Sequence, residues 1–187
     1  MTQTVDPMSP QDVLDLWFAE EHRPLWFRST DAFDDIIREH FDESWQQARD
    51  GLLAHWEYSP TGELALVILL DQCPLNRFRN YPRGFSTEAH SRQVADRAIT
   101  RGFDQKLAHD QKPFLYLPFM HSEDLGDQDR SVALFEAAGL TSNLRWARHH
   151  REIVRRFGRF PHRNTILGRV STAEELAWLE TPDAFRG

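Results

Sequence analysis

Apolar residues recur at intervals of three and four along most of this chain, which is the spacing of helices with one buried face. Val13, Leu14, Trp17 and Phe18 share such a face. The segment Ser9-Pro10-Gln11-Asp12 opens that helix with an N-cap hydroxyl, a proline at the first helical position and a first-turn carboxylate, and its end is expected near Glu21. Phe33, Ile36, Ile37, Phe41, Trp45 and Ala48 repeat the pattern over 31–50, and Gly51 is placed to stop it. A weaker stripe of Val94, Ala95, Ala98 and Ile99 predicts a more exposed helix over 87–100, closing at Gly102, with a short helix over 103–109.

The run Leu64-Ala65-Leu66-Val67-Ile68-Leu69-Leu70 is apolar on every face, so periodicity alone does not separate a buried strand from a buried helix. Leu and Ala outnumber β-branched residues and no second strand offers itself, so 61–72 is expected to be a central helix ended by Pro74. The aromatic stretch 113–120, bracketed by prolines, is expected to be a buried helical turn or an irregular connector. Helices follow over 127–138, stopped by Gly139, and over 142–157, stopped by Gly158; Ser171-Thr172-Ala173-Glu174-Glu175 starts a last one with a capping box. Seven or more helices with no hairpin or βαβ pattern make the expected fold all-α. A single helical domain over 1–187 is expected, with short flexible ends at about 1–8 and 182–187.

Composition narrows the class. With 187 residues, 40% of them hydrophobic, and 13 Phe and 6 Trp, the chain can bury a large core without disulfide or metal support. The lone Cys73 excludes an intrachain disulfide, and no basic, then apolar leader is seen, so a cytoplasmic protein is expected. The longest apolar run is far below the ~20 residues that span a bilayer, which argues against a membrane partner.

Charge is distributed unevenly. Between Thr141 and Val170 stand eight Arg and one Glu, so this segment carries +7 while the rest of the chain carries −14, giving −7 overall. A net negative charge disfavours general nucleic-acid binding. The basic island instead suggests a small anionic ligand or internal acidic partners, with Asp71, Glu123 and Asp124 as the expected counter-charges.

Three clusters carry candidate chemistry. On the helix over 142–157, Trp146, His150, Ile153, Val154 and Phe157 share the apolar face, with Arg145, Arg148, Arg155 and Arg156 away from its centre. His121-Ser122-Glu123-Asp124 sets an imidazole beside two carboxylates, with His121 and Glu123 as acid/base candidates and Asp124 as a helix cap. Asp71 and Gln72 end the most apolar helix, with Asn76 and Arg79 close behind, and a buried carboxylate there needs a partner. The candidate catalytic set is therefore His121, Glu123 and His150. The candidate ligand-binding set is Asp71, Gln72, Asn76, Arg79, Arg156, Arg159, His162 and Arg163. No His-Glu-x-x-His spacing, phosphate-binding glycine loop or Gly-x-Ser-x-Gly elbow occurs, so no metal is expected and no cofactor is named. A purely structural salt-bridge network would use the same residues.

Val13-Leu14-Asp15-Leu16-Trp17-Phe18, Leu69-Leu70-Asp71-Gln72, His121-Ser122-Glu123-Asp124 with Gln128, and the block from Arg156 to Asn164 followed by Leu167-Gly168-Arg169 resemble the domain of unknown function 924 family. The resemblance runs from about Val13 to Leu179. It implies an all-helical fold similar to tetratricopeptide-repeat proteins, with antiparallel helix pairs stacked in an array, and it supplies no activity. Where the family commonly has Asp-Gln-Phe-Pro-Arg-Asn, this chain has Asp71-Gln72-Cys73-Pro74-Leu75-Asn76, so a common arginine is replaced by Leu75; Glu88 stands where Asp is common. Two functions follow as expectations: a preformed polar pocket for a small anionic ligand, with hydrolytic chemistry from the histidines, or a surface presented to a peptide or protein through Trp26, Phe27 and Trp56.

Overall fold

The computed structural model describes residues 8–185. The two expected flexible ends therefore lie partly outside the described residues. All regular structure among them is helical: α1 (Pro10–Trp17), α2 (Asp31–Arg49), α3 (Pro60–Val67), α4 (Cys73–Arg77), α5 (Glu88–Thr100), α6 (Lys112–Met120), α7 (Leu125–Ala137), α8 (Thr141–Phe157) and α9 (Ala173–Leu179). A π-helical turn, Ile68–Gln72, joins α3 to α4, so these two run on as one rod. The chain packs as two compact units, one made of residues up to Arg79 together with Arg83–Pro118, the other of Asn80–Pro82 with the chain from Phe119 onward.

In the first unit, α3 and the π turn form the axis, against which α1, α2 and α5 pack. Residues Leu64 to Leu70 are all buried, which is why the sequence there shows no polar face. The ends are set locally. Ser9 and Asp12 form a capping box on α1, and Ser59 accepts from the Gly62 amide at the start of α3. α1 stops at Trp17 rather than near Glu21, because Phe18 closes it and a tight turn with a 3₁₀ segment, Arg23–Leu25, follows. The expected helix over 103–109 is only a 3₁₀ turn, Asp104–Lys106.

Pro74 does not end the central helix. A proline inside a helix leaves the carbonyl four residues back without its N–H and crowds it. Here the Cys73 amide donates to Ile68 O, a five-residue step, and the orphaned Leu70 carbonyl accepts from the Thr87 hydroxyl at 2.6 Å. The helix then continues to Arg77, with the Phe78 amide donating to Pro74 O at 2.9 Å. α6 is likewise a true helix rather than a connector: Pro113 sits in its first turn, where no N–H is required, and Pro118 in its last.

In the second unit α7 and α8, joined by residues 138–140, pack along each other as an antiparallel pair. Gly139 and Gly158 take the left-handed conformation at the helix ends, at φ 67° and 69°. Ile153, Val154, Phe160 and Trp178 form a buried cluster that α9 and residues Ala184 and Phe185 cover. On α8 the buried face is Ala147, His150, Ile153 and Val154; Trp146, expected inside, is 45% exposed.

Candidate functional site

In the first unit the π turn carries Asp71 and Gln72, both buried. Gln72 Nε2 donates to the Asp71 carboxylate at 2.6 Å, and Asn76 Nδ2 donates to the Gln72 carbonyl at 3.1 Å. Arg79 reaches Asn76 Oδ1 at 3.2 Å and holds Asp34 through Nε and Nη2 at 2.9 and 3.1 Å. Asp71, Gln72, Asn76 and Arg79 are thus brought into one hydrogen-bonded series that ends on Asp34, a residue the sequence did not single out. Ser29 also donates to Asp34, at 2.6 Å. The two oxygens of Asp34 leave the Arg79 fork engaged on one side, a bidentate arrangement of the strong kind.

In the second unit Glu123 is held from three directions. It accepts from the Phe160 amide at 2.7 Å and from Arg169 Nη1 and Nη2 at 2.6 and 2.9 Å. Burial pushes its carboxyl up, but the Arg169 guanidinium and the Phe160 amide outweigh that and hold it below the usual carboxylate range. Arg169 also donates to Asn164 Oδ1 and Phe160 O. It fixes the turn after the basic block, a role the sequence did not single out.

Of the counter-charges expected for the basic island, Glu123 is met by Arg169, while Arg156 and Arg159 find others. Arg156 donates to Glu174 at 2.8 Å, and Arg159 holds Glu175 at 2.6 and 2.8 Å. Glu175 serves twice, because it also accepts from the Thr172 amide as the capping-box residue of α9. Arg159, followed by the Thr172 amide and Asn164, draws its carboxyl down to about 2. Arg148 pairs with Glu136, Arg151 with Asp129 and Arg155 with Glu152. Asp124 caps α7 by accepting from the Asp127 amide at 3.0 Å, as read from the sequence. Arg163 is buried and lies over the Phe160 ring, 4.7 Å from its centroid.

The histidines gather around aromatic rings. His150 Nδ1 lies 2.9 Å from the Trp146 carbonyl. A carbonyl only accepts, so Nδ1 carries the proton and Nε2 is left as an acceptor. Burial pushes the His150 imidazole down to about 3, helped by His121, His149 and His162 nearby. His162 is pushed down to about 3 by burial and by Arg163, and its buried Nδ1 has no hydrogen-bond partner among the described residues. Phe185 stands 4.4 Å from the His150 ring and 5.0 Å from the His162 ring. Among the described residues no three His, Cys, Asp or Glu side chains gather as a metal ion requires.

An open cleft of about 570 Å³ lies beside α8, lined by His149, Glu152, Ile153, Arg155, Arg156, Phe157, Trp178 and Asp183. Of the residues singled out in the sequence as site candidates, Arg156 lines it; Phe157 and Trp178, 5.4 Å apart, form an aromatic floor. The aromatics expected at an interaction surface behave unequally. Trp56 is buried, and Trp26 is tied in by its Nε1, which donates to the Trp17 carbonyl at 2.9 Å, so Phe27 alone stays largely exposed.

The fold and these clusters define an all-α protein whose second unit combines an arginine-rich segment with aromatic side chains. The family profile described as bacterial protein of unknown function DUF924 matches residues 13–183, and the chain belongs to that family. The solved structure of the protein of unknown function ATU0120 from Agrobacterium tumefaciens is similar at 40% identity and a TM-score of 0.88, covering 91% of this chain and 96% of that one. A search of curated proteins gives no significant match. No helix among the described residues is long and apolar enough to cross a membrane.

Proposed function

We propose that this chain is a helical ligand-binding protein and that the cleft beside α8 takes a small anionic ligand through Arg155 and Arg156. The observation that carries this reading is the cleft itself, which combines two adjacent guanidinium groups with an apolar floor of Ile153, Phe157 and Trp178. Its volume falls within the roughly 300–1,000 Å³ common to small-molecule sites. Arg155 and Arg156 are well exposed, and their partners Glu152 and Glu174 are surface carboxylates. Such pairs contribute little, so a ligand carboxylate or phosphate exchanges for them readily. Arg159 and Arg163 do not line the cleft; one is tied to Glu175 and the other is buried against Phe160.

Binding fits the geometry better than hydrolysis. Glu123, with both oxygens engaged, is an ion with no proton to give, and His150 spends its Nδ1 proton on a backbone carbonyl. The tetratricopeptide-like pairing implied by the family resemblance is retained in this reading, with α7 and α8 as one such pair. The buried Cys73 thiol, pushed up by burial, suits a reducing cytoplasm.

The test is thermal denaturation of the full chain with inorganic phosphate and with citrate, at ionic strength matched with sodium chloride. The wild type is expected to gain thermal stability with increasing ligand, and the Arg155→Ala/Arg156→Ala variant to lose that gain, while Arg145→Ala keeps it. An equal gain in the double variant, or none in the wild type, would overturn the reading.

A further inference from the structure

Asp183 is an exposed carboxylate that lines the cleft beside α8, and its side chain has no hydrogen-bond or ion-pair partner among the described residues. The arginines of the same lining are engaged elsewhere, Arg155 on Glu152 and Arg156 on Glu174. The chain on both sides fixes where Asp183 stands. Before it, the Thr181 amide and hydroxyl both donate to Trp178 O, at 2.9 and 2.7 Å. After it, the Ala184 amide donates to Thr181 O at 3.2 Å, and Ala184 and Phe185 pack on the cluster of Ile153, Val154, Phe160 and Trp178. Trp178 belongs both to that cluster and to the cleft floor, so Asp183 is held at the cleft and does not trail from it.

Besides His149, the ionisable side chains that line the cleft are Arg155, Arg156, Glu152 and Asp183, and their formal charges cancel. A ligand that is only an anion gains from the two guanidiniums and is repelled by Asp183, which has no cation of its own to neutralise it. A ligand that also carries an ammonium group turns that repulsion into an ion pair. The floor adds a third requirement. Phe157 and Trp178 stand 5.4 Å apart at 54°, and Arg156 lies over the Phe157 ring, 4.7 Å from its centroid. An apolar body, best a ring, covers this surface and excludes water from the charges beside it.

We propose that the cleft selects an aromatic aminocarboxylate, a small zwitterion of the amino-acid type. Its carboxylate lies on Arg155 and Arg156, its ring on Phe157 and Trp178, and its ammonium group on Asp183. The inference rests on the reading of Arg155 and Arg156 as the anion-binding groups, and it adds Asp183 as the residue that sets specificity. An amine without the carboxylate meets two guanidiniums and is disfavoured. Because the cleft is open and Asp183 is exposed, the ammonium contact has the strength of a surface ion pair, and the selectivity it confers is modest.

The experiment is isothermal titration of full-length wild type, Asp183→Asn and Arg155→Ala/Arg156→Ala, with circular dichroism to verify folding. The ligands are phenylalanine, phenylpropionate, which lacks only the ammonium group, and phenethylamine, which lacks only the carboxylate. Wild type is expected to bind phenylalanine roughly fivefold more tightly than phenylpropionate, the scale of one exposed ion pair, and to bind phenethylamine less tightly than either. Asp183→Asn should bring the two carboxylates to equal affinity, mainly by weakening phenylalanine, and Arg155→Ala/Arg156→Ala should weaken both. Equal affinity of wild type for the two carboxylates, tighter binding of phenethylamine than of phenylalanine, or a preference for phenylalanine that survives in Asp183→Asn overturns the proposal. If phenylpropionate nonetheless binds wild type and is lost from the arginine variant, the anion-binding reading stands without it. No binding of either carboxylate also overturns the proposal, and the phosphate and citrate titrations then decide separately whether the arginine reading survives.

Discussion

The Thr87 hydroxyl donates to the carbonyl of Leu70 at 2.6 Å, filling the position that the missing N–H of Pro74 leaves empty. One side chain thereby lets the most buried helix of the chain pass through a proline and carry Asn76 and Arg77 beyond it. Thr87→Val keeps the shape and removes the donor, leaving a buried carbonyl unsatisfied at a cost of about 1–3 kcal/mol. Pro74→Ala in the same background restores a backbone N–H and should recover part of that loss. Urea denaturation of the two single variants and the double variant checks this as a cycle, and additive losses would show that the two positions do not act on the same carbonyl.

Glu63 is fully buried on α3, paired with Arg101, with one oxygen lacking a hydrogen-bond partner. Burial, only partly offset by Arg101, pushes its carboxyl up from 4.5 to about 7. A raised carboxyl means that the folded state binds the proton more tightly than the unfolded state. The stabilising contribution is present below pH 4.5 and is lost as pH rises from there to about 7. Glu63→Gln mimics the protonated form, so its stability relative to wild type should improve across that window, by up to about 3 kcal/mol. Denaturation midpoints at pH 5 and pH 8 measure the difference, and a difference of the opposite sign would show that the ion pair with Arg101 dominates.

Local signals in the sequence were reliable wherever the local chain decides the outcome. The capping box at Thr172 and Glu175, the Asp124 cap and the glycine stops at Gly139 and Gly158 all stand where the sequence places them. Pro74 stands as a helix stop in the sequence but not in the structure, because the cost of a helical proline depends on a donor from another element, and Thr87 is 17 residues from Leu70. The site was legible in its residue types and less so in its pairing. Glu174 and Glu175 read as first-turn acids of α9, and the same carboxylates neutralise Arg156 and Arg159 across a turn. Trp146 and His150 share a stripe on a helical wheel, but Ala147 takes the buried position and Trp146 stays 45% exposed. Phe185 carried no signal at all, since a single ring after a proline-containing turn has no periodicity to betray where it docks.

Gly158 ends α8 in the left-handed conformation at φ 69°, and a Cβ there would meet no atom within 4 Å. The strain of substitution is then conformational alone, without a steric clash. Gly158→Ala should destabilise the second unit by about 1 kcal/mol, and Gly158→Asn by less, because Asn tolerates the left-handed region. Thermal denaturation should rank the three as Gly, Asn, Ala. A larger loss for Asn than for Ala would mean that the turn between Phe157 and Phe160 is constrained by more than the backbone angle.

His150 and His162 are both pushed down to about 3, first by burial and then by neighbouring positive charge. A depressed imidazole binds its proton less well in the folded state, so the folded state carries fewer protons over the interval from the ordinary 6.5 down to about 3. The stability they protect is complete above pH 6.5 and falls as the solution is acidified through that interval. The second unit should therefore lose stability on acidification before its depressed carboxylates titrate: Glu175, with its carboxyl at about 2, remains ionised and paired with Arg159 at pH 4. His150→Asn and His162→Gln should each flatten the decline between pH 6.5 and 4, even where they lower stability at pH 7. Imidazole resonances followed by NMR supply the direct check, because neither ring should shift between pH 8 and 5. Titration of His150 near 6.5 in the folded protein would show that its ring reaches water.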